Sequence, residues 1–126
     1  QEIAERKQTE HSLRILATIV ESSDDAIISK DLDGRIVTWN VGAEKLFGYT
    51  AAEIIGQPIT LLIPADCQAE ETRILECIRR GEDVPHYDTM RLHKNGSSLD
   101  VSIGVSAIRD EMGRITGAAK IARSIA

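Results

Sequence analysis

The clearest alternation of apolar and polar positions lies in the last third of the chain. Every second residue there is apolar: Leu99, Val101, Ile103, Val105 and Ala107. This period of two predicts a long β-strand with one buried face. A strand over 87–93 is predicted before it, joined by the hairpin turn Lys94-Asn95-Gly96-Ser97. Another is predicted over 114–122, so three antiparallel strands are expected at this end.

The first third of the chain carries a second, shorter β pattern. Residues 26–29 and 35–39 flank the turn sequence of residues 31–34, which ends in Asp-Gly and predicts a hairpin. Before them, residues 1–21 are predicted to be helical, with charged residues first and an apolar stripe afterwards. The stripe consists of Leu13, Leu16, Ala17 and Val20. It is too short to prove a coiled coil, so it either packs on its own domain or pairs with a second copy.

Three helices are predicted between the two groups of strands. Asn40 can cap the first helix and Gly48 can end it. If Asn40 acts only as a cap, replacement by aspartate should be mild, because the acceptor oxygen is kept. Thr50 and Glu53 have the spacing of a capping box for the second helix, and the third spans 66–80. The order β-β-α-α-α-β-β-β favours one antiparallel sheet with helices on one face.

Composition narrows the class of protein. The chain has 126 residues, with 15 Lys and Arg against 20 Asp and Glu, for a net charge of −5. One domain is expected, and the acidic balance argues against nucleic acid as a partner. No apolar run approaches the roughly 20 residues of a membrane span, so no membrane contact is expected of this fragment. Cys67 and Cys77 make neither a disulfide framework nor a metal motif, which favours a cytoplasmic location. Because residue 1 is Gln1, we expect a piece of a larger protein.

Five segments carry a family signature when they are taken in order. They are residues 31–40, 43–49, 53–56, 94–97 and 120–123, which read DLDGRIVTWN, AEKLFGY, EIIG, KNGS and KIAR. In these residues and in its order of elements, the chain resembles a PAS domain, the sensory fold of bacterial signalling proteins. The resemblance covers residues 22–126. It implies an α+β fold: a five-stranded antiparallel sheet in the order 2-1-5-4-3, whose short helices close a pocket over one face. Residues 1–21 would then be a signalling or linker helix.

The resemblance also implies where two PAS branches hold their cofactors, flavin and haem. At the position of the flavin branch's adduct-forming thiol this chain has Ile59. The positions of that branch's two asparagines and glutamine are matched by Arg91, Val101 and Ala122. The haem branch has a histidine on the long helix, where this chain has Glu71. No cofactor is therefore predicted, and neither haem nor a covalent-adduct flavin is expected.

The resemblance implies a set of pocket residues. We expect the pocket wall among Trp39, Ile59, Leu62, Tyr87, Thr89, Arg91, Val101, Ile103, Val105 and Ala122. Two patterns give opposite directions for Lys120. An apolar face made of Ile115, Gly117, Ala119 and Ile121 sends it outward. Matching to the flavin branch sends it inward instead. The solvent-facing orientation is favoured here, because a buried lysine needs a partner.

The functional expectation is a signalling module. No nucleophile–base pair, phosphate-binding loop or metal motif is visible, so catalysis within this chain is not expected. As the resemblance implies, the chain would bind a small molecule, or pass signals through rearrangement of a homodimer to an effector such as a two-component histidine kinase. The alternative is a ligand-free dimerisation module within a tandem PAS array, because residues 2–7 resemble the exit sequence of a preceding PAS domain. Neighbouring PAS or kinase domains of the parent chain are the other expected partners.

Overall fold

A computed structural model describes residues 13–125 of the chain, which form one antiparallel sheet covered on one face by helices. The strands are β1 Ala26–Asp31, β2 Ile36–Trp39, β3 Val84–Leu92, β4 Ser98–Arg109 and β5 Ile115–Ser124. Their order across the sheet is β2-β1-β5-β4-β3, which confirms the predicted topology. The helices are α1 (residues 13–22), α2 Val41–Phe47, α3 Ala51–Ile54 and α4 Gln68–Arg79, with 3₁₀ helices at Ile59–Leu62 and Ala65–Cys67.

The predicted starts of α2 and α3 and the predicted end of α2 are confirmed by their caps. The Asn40 Oδ1 accepts a hydrogen bond from the backbone N–H of Ala43 at 2.9 Å, and α2 ends at Gly48 with a φ of 82°. Thr50 and Glu53 form the reciprocal capping box of α3. These local signals fix where each short helix starts and stops.

Several strand and helix boundaries differ from the sequence prediction by one to three residues, and the shifted starts of β3 and α4 have visible causes. β3 starts at Val84 rather than at 87, although Pro85 cannot donate to a neighbouring strand. The proline is tolerated because β3 is an edge strand with an irregularity between Val84 and Tyr87. α4 starts at Gln68 because a 3₁₀ turn comes before it. Residues 1–12 of the predicted N-terminal helix lie outside the described residues.

The expectation that Lys120 faces solvent is wrong. Ala118, Lys120 and Ala122 are 1–3% exposed and point at the helices, whereas Ile121 is 40% exposed on the outer face. The small residues of β5 do not show which face of the strand is buried. Gly117 is small because the backbone of the neighbouring strand lies against it, and not because its face is apolar. A Cβ at Gly117 would lie 2.2 Å from the backbone oxygen of Lys30 on the neighbouring strand.

The core lies between the inner face of the sheet and the helices. Its large side chains include Ile28, Phe47, Ile59, Ile74, Ile78, Val101, Ile103 and Val105. Five polar or charged residues are also buried, namely Lys30, Asn40, Glu71, Arg91 and Lys120. Across residues 13–125, no helix has both the length and the apolar character needed to cross a membrane.

Candidate functional site

A small cavity lies where the resemblance places the ligand pocket, between the sheet and the helices. Its volume is about 10 Å³, room for roughly one water molecule. Five of the expected pocket residues line it: Ile59, Leu62, Arg91, Ile103 and Ala122. Lys120, Ile28 and Phe47 complete the lining. The structure thus brings half of the expected residues together, around an almost filled space.

The other expected pocket residues lie around this cavity without lining it. Val101 and Val105 are fully buried in β4 and belong to the apolar core. Tyr87 and Thr89 point from β3 towards a carboxylate of α4. Trp39 packs on Phe47 with ring centroids 5.5 Å apart, so it anchors α2 against the sheet.

A buried ion-pair triad stands beside the cavity. Lys30 of β1 and Lys120 of β5 both donate to the carboxylate of Glu71 on α4; the Lys120 Nζ to Glu71 Oε2 distance is 2.9 Å. All three side chains are at most 6% exposed. The triad joins two neighbouring strands to the long helix, and it replaces the apolar contacts that such positions usually make.

The electrostatics of the triad follow from its burial. Burial by itself would raise the pKa of Glu71, but the charges of Lys120 and Lys30 outweigh it and the pKa is lowered. Burial lowers the pKa of Lys30, against the opposing effect of Glu71. The pKa of Lys120 falls to about 7, because burial and the nearby Lys30 charge together exceed the attraction of Glu71.

A second, partly buried ion pair lies next to the triad and joins α4 to β3. The Arg91 Nη2 lies 3.3 Å from Glu70 Oε1, and the Arg91 side chain is 2% exposed. Tyr87 donates to the same carboxylate at 2.9 Å, and Thr89 donates at 2.8 Å. Burial would raise the pKa of Glu70, but these two hydrogen bonds and the Arg91 charge lower it overall. We call these residues and the triad the charged cluster: Lys30, Glu70, Glu71, Tyr87, Thr89, Arg91 and Lys120.

Sequence reasoning missed Lys30, Glu70 and the pairing role of Glu71. Two signals were present. Lys30 follows Ile28 at the two-residue spacing of the buried face of β1, and Glu71 precedes Ile74 and Ile78 on the buried stripe of α4. The two residues are 41 positions apart, so neither pattern shows that they meet.

The metal-ligating side chains of the described residues are scattered. No group of three or more metal-ligating side chains comes together among residues 13–125. Cys67 and Cys77 are half-buried free thiols. His86 is exposed beside Ser102, and His93 accepts a hydrogen bond within the turn that follows β3. Within the same residues, every buried side-chain nitrogen or oxygen has a hydrogen-bond partner.

A larger groove lies on the opposite, outer face of the sheet, beside α1. Its volume is about 540 Å³. The predicted apolar stripe of α1 lines it: Leu13, Leu16, Ala17 and Val20. Ile27 and Ala119 contribute from the sheet. Leu16 is nevertheless 58% exposed, so the domain alone leaves much of the stripe uncovered.

The chain is similar to known proteins in both sequence and fold. A family model described as the PAS fold matches residues 14–125. The chain is 36% identical over 107 residues to two-component system protein A of Emericella nidulans, an overlap of 81% of this chain and 15% of that protein. It is 34% identical over 89 residues to sensor protein FixL of Bradyrhizobium diazoefficiens, an overlap of 68% and 17%. The chain thus spans about a sixth of the length of these curated relatives.

Solved structures agree with the family model. The PAS domain of a protein from Colwellia psychrerythraea superposes with a TM-score of 0.81 at 30% identity, covering 90% of this chain and 96% of that chain. The PAS domain of an HTR-like protein from Haloarcula marismortui has a TM-score of 0.76 at 25% identity, covering 99% and 100%. Both similarities extend over nearly the whole chain.

Proposed function

The chain belongs to the PAS-fold family of sensory domains, and on that premise we propose that it relays signals with an interior filled by its own charged side chains instead of a ligand. The parent protein would be a sensor histidine kinase, since one relative, AtoS of Escherichia coli, is named a signal transduction histidine-protein kinase. A tandem PAS array is the alternative. Within this chain we assign no catalytic residue. The domain would receive a signal at one end and pass it on through the sheet and its flanking helices.

The observation that supports this proposal is the small size of the inner cavity. Pockets for drug-sized ligands and cofactors measure roughly 300–1,000 Å³, whereas this cavity is about 10 Å³. Arg91 and Lys120 occupy the space where a ligand would lie, and each has a carboxylate partner on α4. A ligand would have to break these buried pairs, which costs more than it would in water.

The residues also do not fit the cofactors that PAS relatives hold. Glu71 stands where the haem branch has its histidine, and its carboxylate is already paired with Lys30 and Lys120. Ile59 offers no thiol for an adduct, and Arg91 stands at one of the flavin-facing amide positions. Neither haem nor flavin therefore has a ligand or a space here.

We expect the purified domain to be colourless after expression with ample haem and flavin. The physical reason is that neither cofactor has room beside the charged cluster. An absorption spectrum checks this, with a haem-loaded and a flavin-loaded PAS domain expressed in parallel as controls. A stoichiometric Soret band, or flavin peaks, from this chain would overturn the proposal.

For the output of the domain, we propose a homodimer formed through α1 and the outer face of the sheet. Leu13, Leu16 and Ile19 are 57–60% exposed, an apolar surface that a second copy of this helix would cover. The groove beside α1 offers space for side chains of that second helix. Because Ala119 lines this groove and Lys120 faces the cluster, β5 connects the interior to the dimer surface.

Leu16→Gln is expected to weaken dimerisation roughly 100-fold, because each of two copies loses about 1.5 kcal/mol of apolar burial. Arg14→Gln is the matched control: it makes the same new side chain on the same exposed helix. Sedimentation equilibrium measures both. A wild-type chain that stays monomeric at high concentration, or a Leu16→Gln variant that dimerises like the control, would rule out this surface.

A further inference from the structure

The charged cluster holds more cations than anions. Lys30 and Lys120 share the single carboxylate of Glu71, and Arg91 is paired with Glu70. With every group ionised, three positive charges face two negative ones; four of the five side chains are at most 6% exposed, and only Glu70, at 18%, reaches the solvent. An unbalanced charge in such a low-dielectric interior is costly.

The chain can remove this imbalance by releasing one proton. Of the three cations, arginine does not deprotonate in proteins, so a lysine must give up the charge. Lys120 is the candidate, because it lines the cavity together with Arg91, which Lys30 does not, and it shares the Glu71 carboxylate with Lys30. A neutral Lys120 amine could accept a hydrogen bond from the Lys30 ammonium, and Glu71 would then balance one charge instead of two.

We propose that Lys120 exchanges a proton with solvent and that this proton is the signal to which the interior responds. The proposal rests on the function proposed above, since a cluster that excludes ligands is free to bind a proton instead. When Lys120 is neutral, the charges of the cluster balance and α4 is held firmly on the sheet. When Lys120 is protonated, the excess positive charge weakens that attachment.

The groups around Lys120 come from every element packed against it. Charged groups are Lys30 on β1, Glu70 and Glu71 on α4, and Arg91 on β3. The neighbouring surfaces of α2, the 3₁₀ helix and β4 are apolar, through Phe47, Ile59 and Ile103. Burial and the Lys30 charge lower the pKa of Lys120 from 10.5 to about 7, which agrees with the charge count.

The pH dependence has a definite sign. Unfolded Lys120 keeps its proton up to about 10.5, whereas the folded residue loses it near 7. Between these values the unfolded chain binds more protons, so the stability of the domain rises with pH. Burial also lowers the pKa of Lys30, which adds to this rise in stability with pH.

The experiment is a pH titration of the lysine side chains by carbon NMR in the full chain, together with melting temperatures from pH 6 to pH 9. We expect one lysine to titrate near 7, and its signal to be absent from Lys120→Met. The wild-type melting temperature should rise over this range. Lys120→Met should be more stable than wild type at pH 6 and should lose most of the rise. Lys45→Met, at an exposed site on α2, should behave like wild type.

Two results would overturn the inference: a Lys120 signal that titrates at its ordinary value near 10.5, or a Lys120→Met variant that keeps the full rise. Both are distinct from failure of the proposed function. A bound cofactor would refute the ligand-free relay whatever the titration shows. An ordinary titration in a protein without a cofactor would refute only the proton signal.

Discussion

Glu71→Gln is expected to lower the free energy of unfolding by about 3–5 kcal/mol at pH 7, the cost of removing one partner from a buried ion pair. The amide keeps the size and shape of the carboxylate but cannot neutralise Lys30 and Lys120, which stay at most 4% exposed. Urea denaturation at fixed pH measures this loss.

Glu76→Gln is the matched control on the same helix, because Glu76 is exposed to solvent. Its effect should stay within about 0.5 kcal/mol. Adding Lys120→Met to Glu71→Gln should recover part of the loss, since one unbalanced cation is removed. If Glu71→Gln were as stable as the control, the triad would have no structural role.

Asn40→Leu is expected to destabilise the domain by about 3–5 kcal/mol, which is more than a helix cap contributes. The Oδ1 atom of Asn40 accepts from the backbone N–H of Ile27 and of Ala43, both at 2.9 Å. The Nδ2 atom donates to the carbonyl oxygens of Val20 at 2.7 Å and Asp25 at 3.0 Å. Leucine would leave two donors of the main chain unpaired, in a site where Asn40 is 2% exposed.

Asn40→Asp should also be costly, by about 2–3 kcal/mol, which revises the expectation from the cap alone. The aspartate would place a negative oxygen against the carbonyls of Val20 and Asp25, where the amide now donates. Asn95→Asp is the control, because the Asn95 side chain only accepts hydrogen bonds, both from Ser97, in an exposed turn. Thermal melts of the two variants decide the point: equal melting temperatures would mean that Asn40 is only a cap.

Those parts of the fold that depend on local chemistry could be predicted. The capping residues Asn40 and Thr50 and the turn glycines Gly34 and Gly96 each leave a signal within a few positions. The alternation of β4 shows which face is buried, because its apolar residues are large. The sheet order then came from the family resemblance.

The charged cluster could not be predicted, because it depends on contacts between distant positions. β5 carries Gly117, Ala118 and Ala119 in sequence, and such small residues do not distinguish the two faces of a strand. The direction of Lys120 is decided by Glu71, which is 49 positions away. The position of Lys30 on the buried face of β1 did indicate that a charged residue enters this core, but not which residue pairs with it.

Native mass spectrometry of the purified domain shows whether the chain's own side chains fill the interior. We expect a mass equal to one chain, or two in the dimer, with no stoichiometric addition. Spectra of protein from cells grown in rich and in minimal medium should agree. An added small molecule in one-to-one ratio, lost on denaturation, would mean that the interior is a ligand pocket.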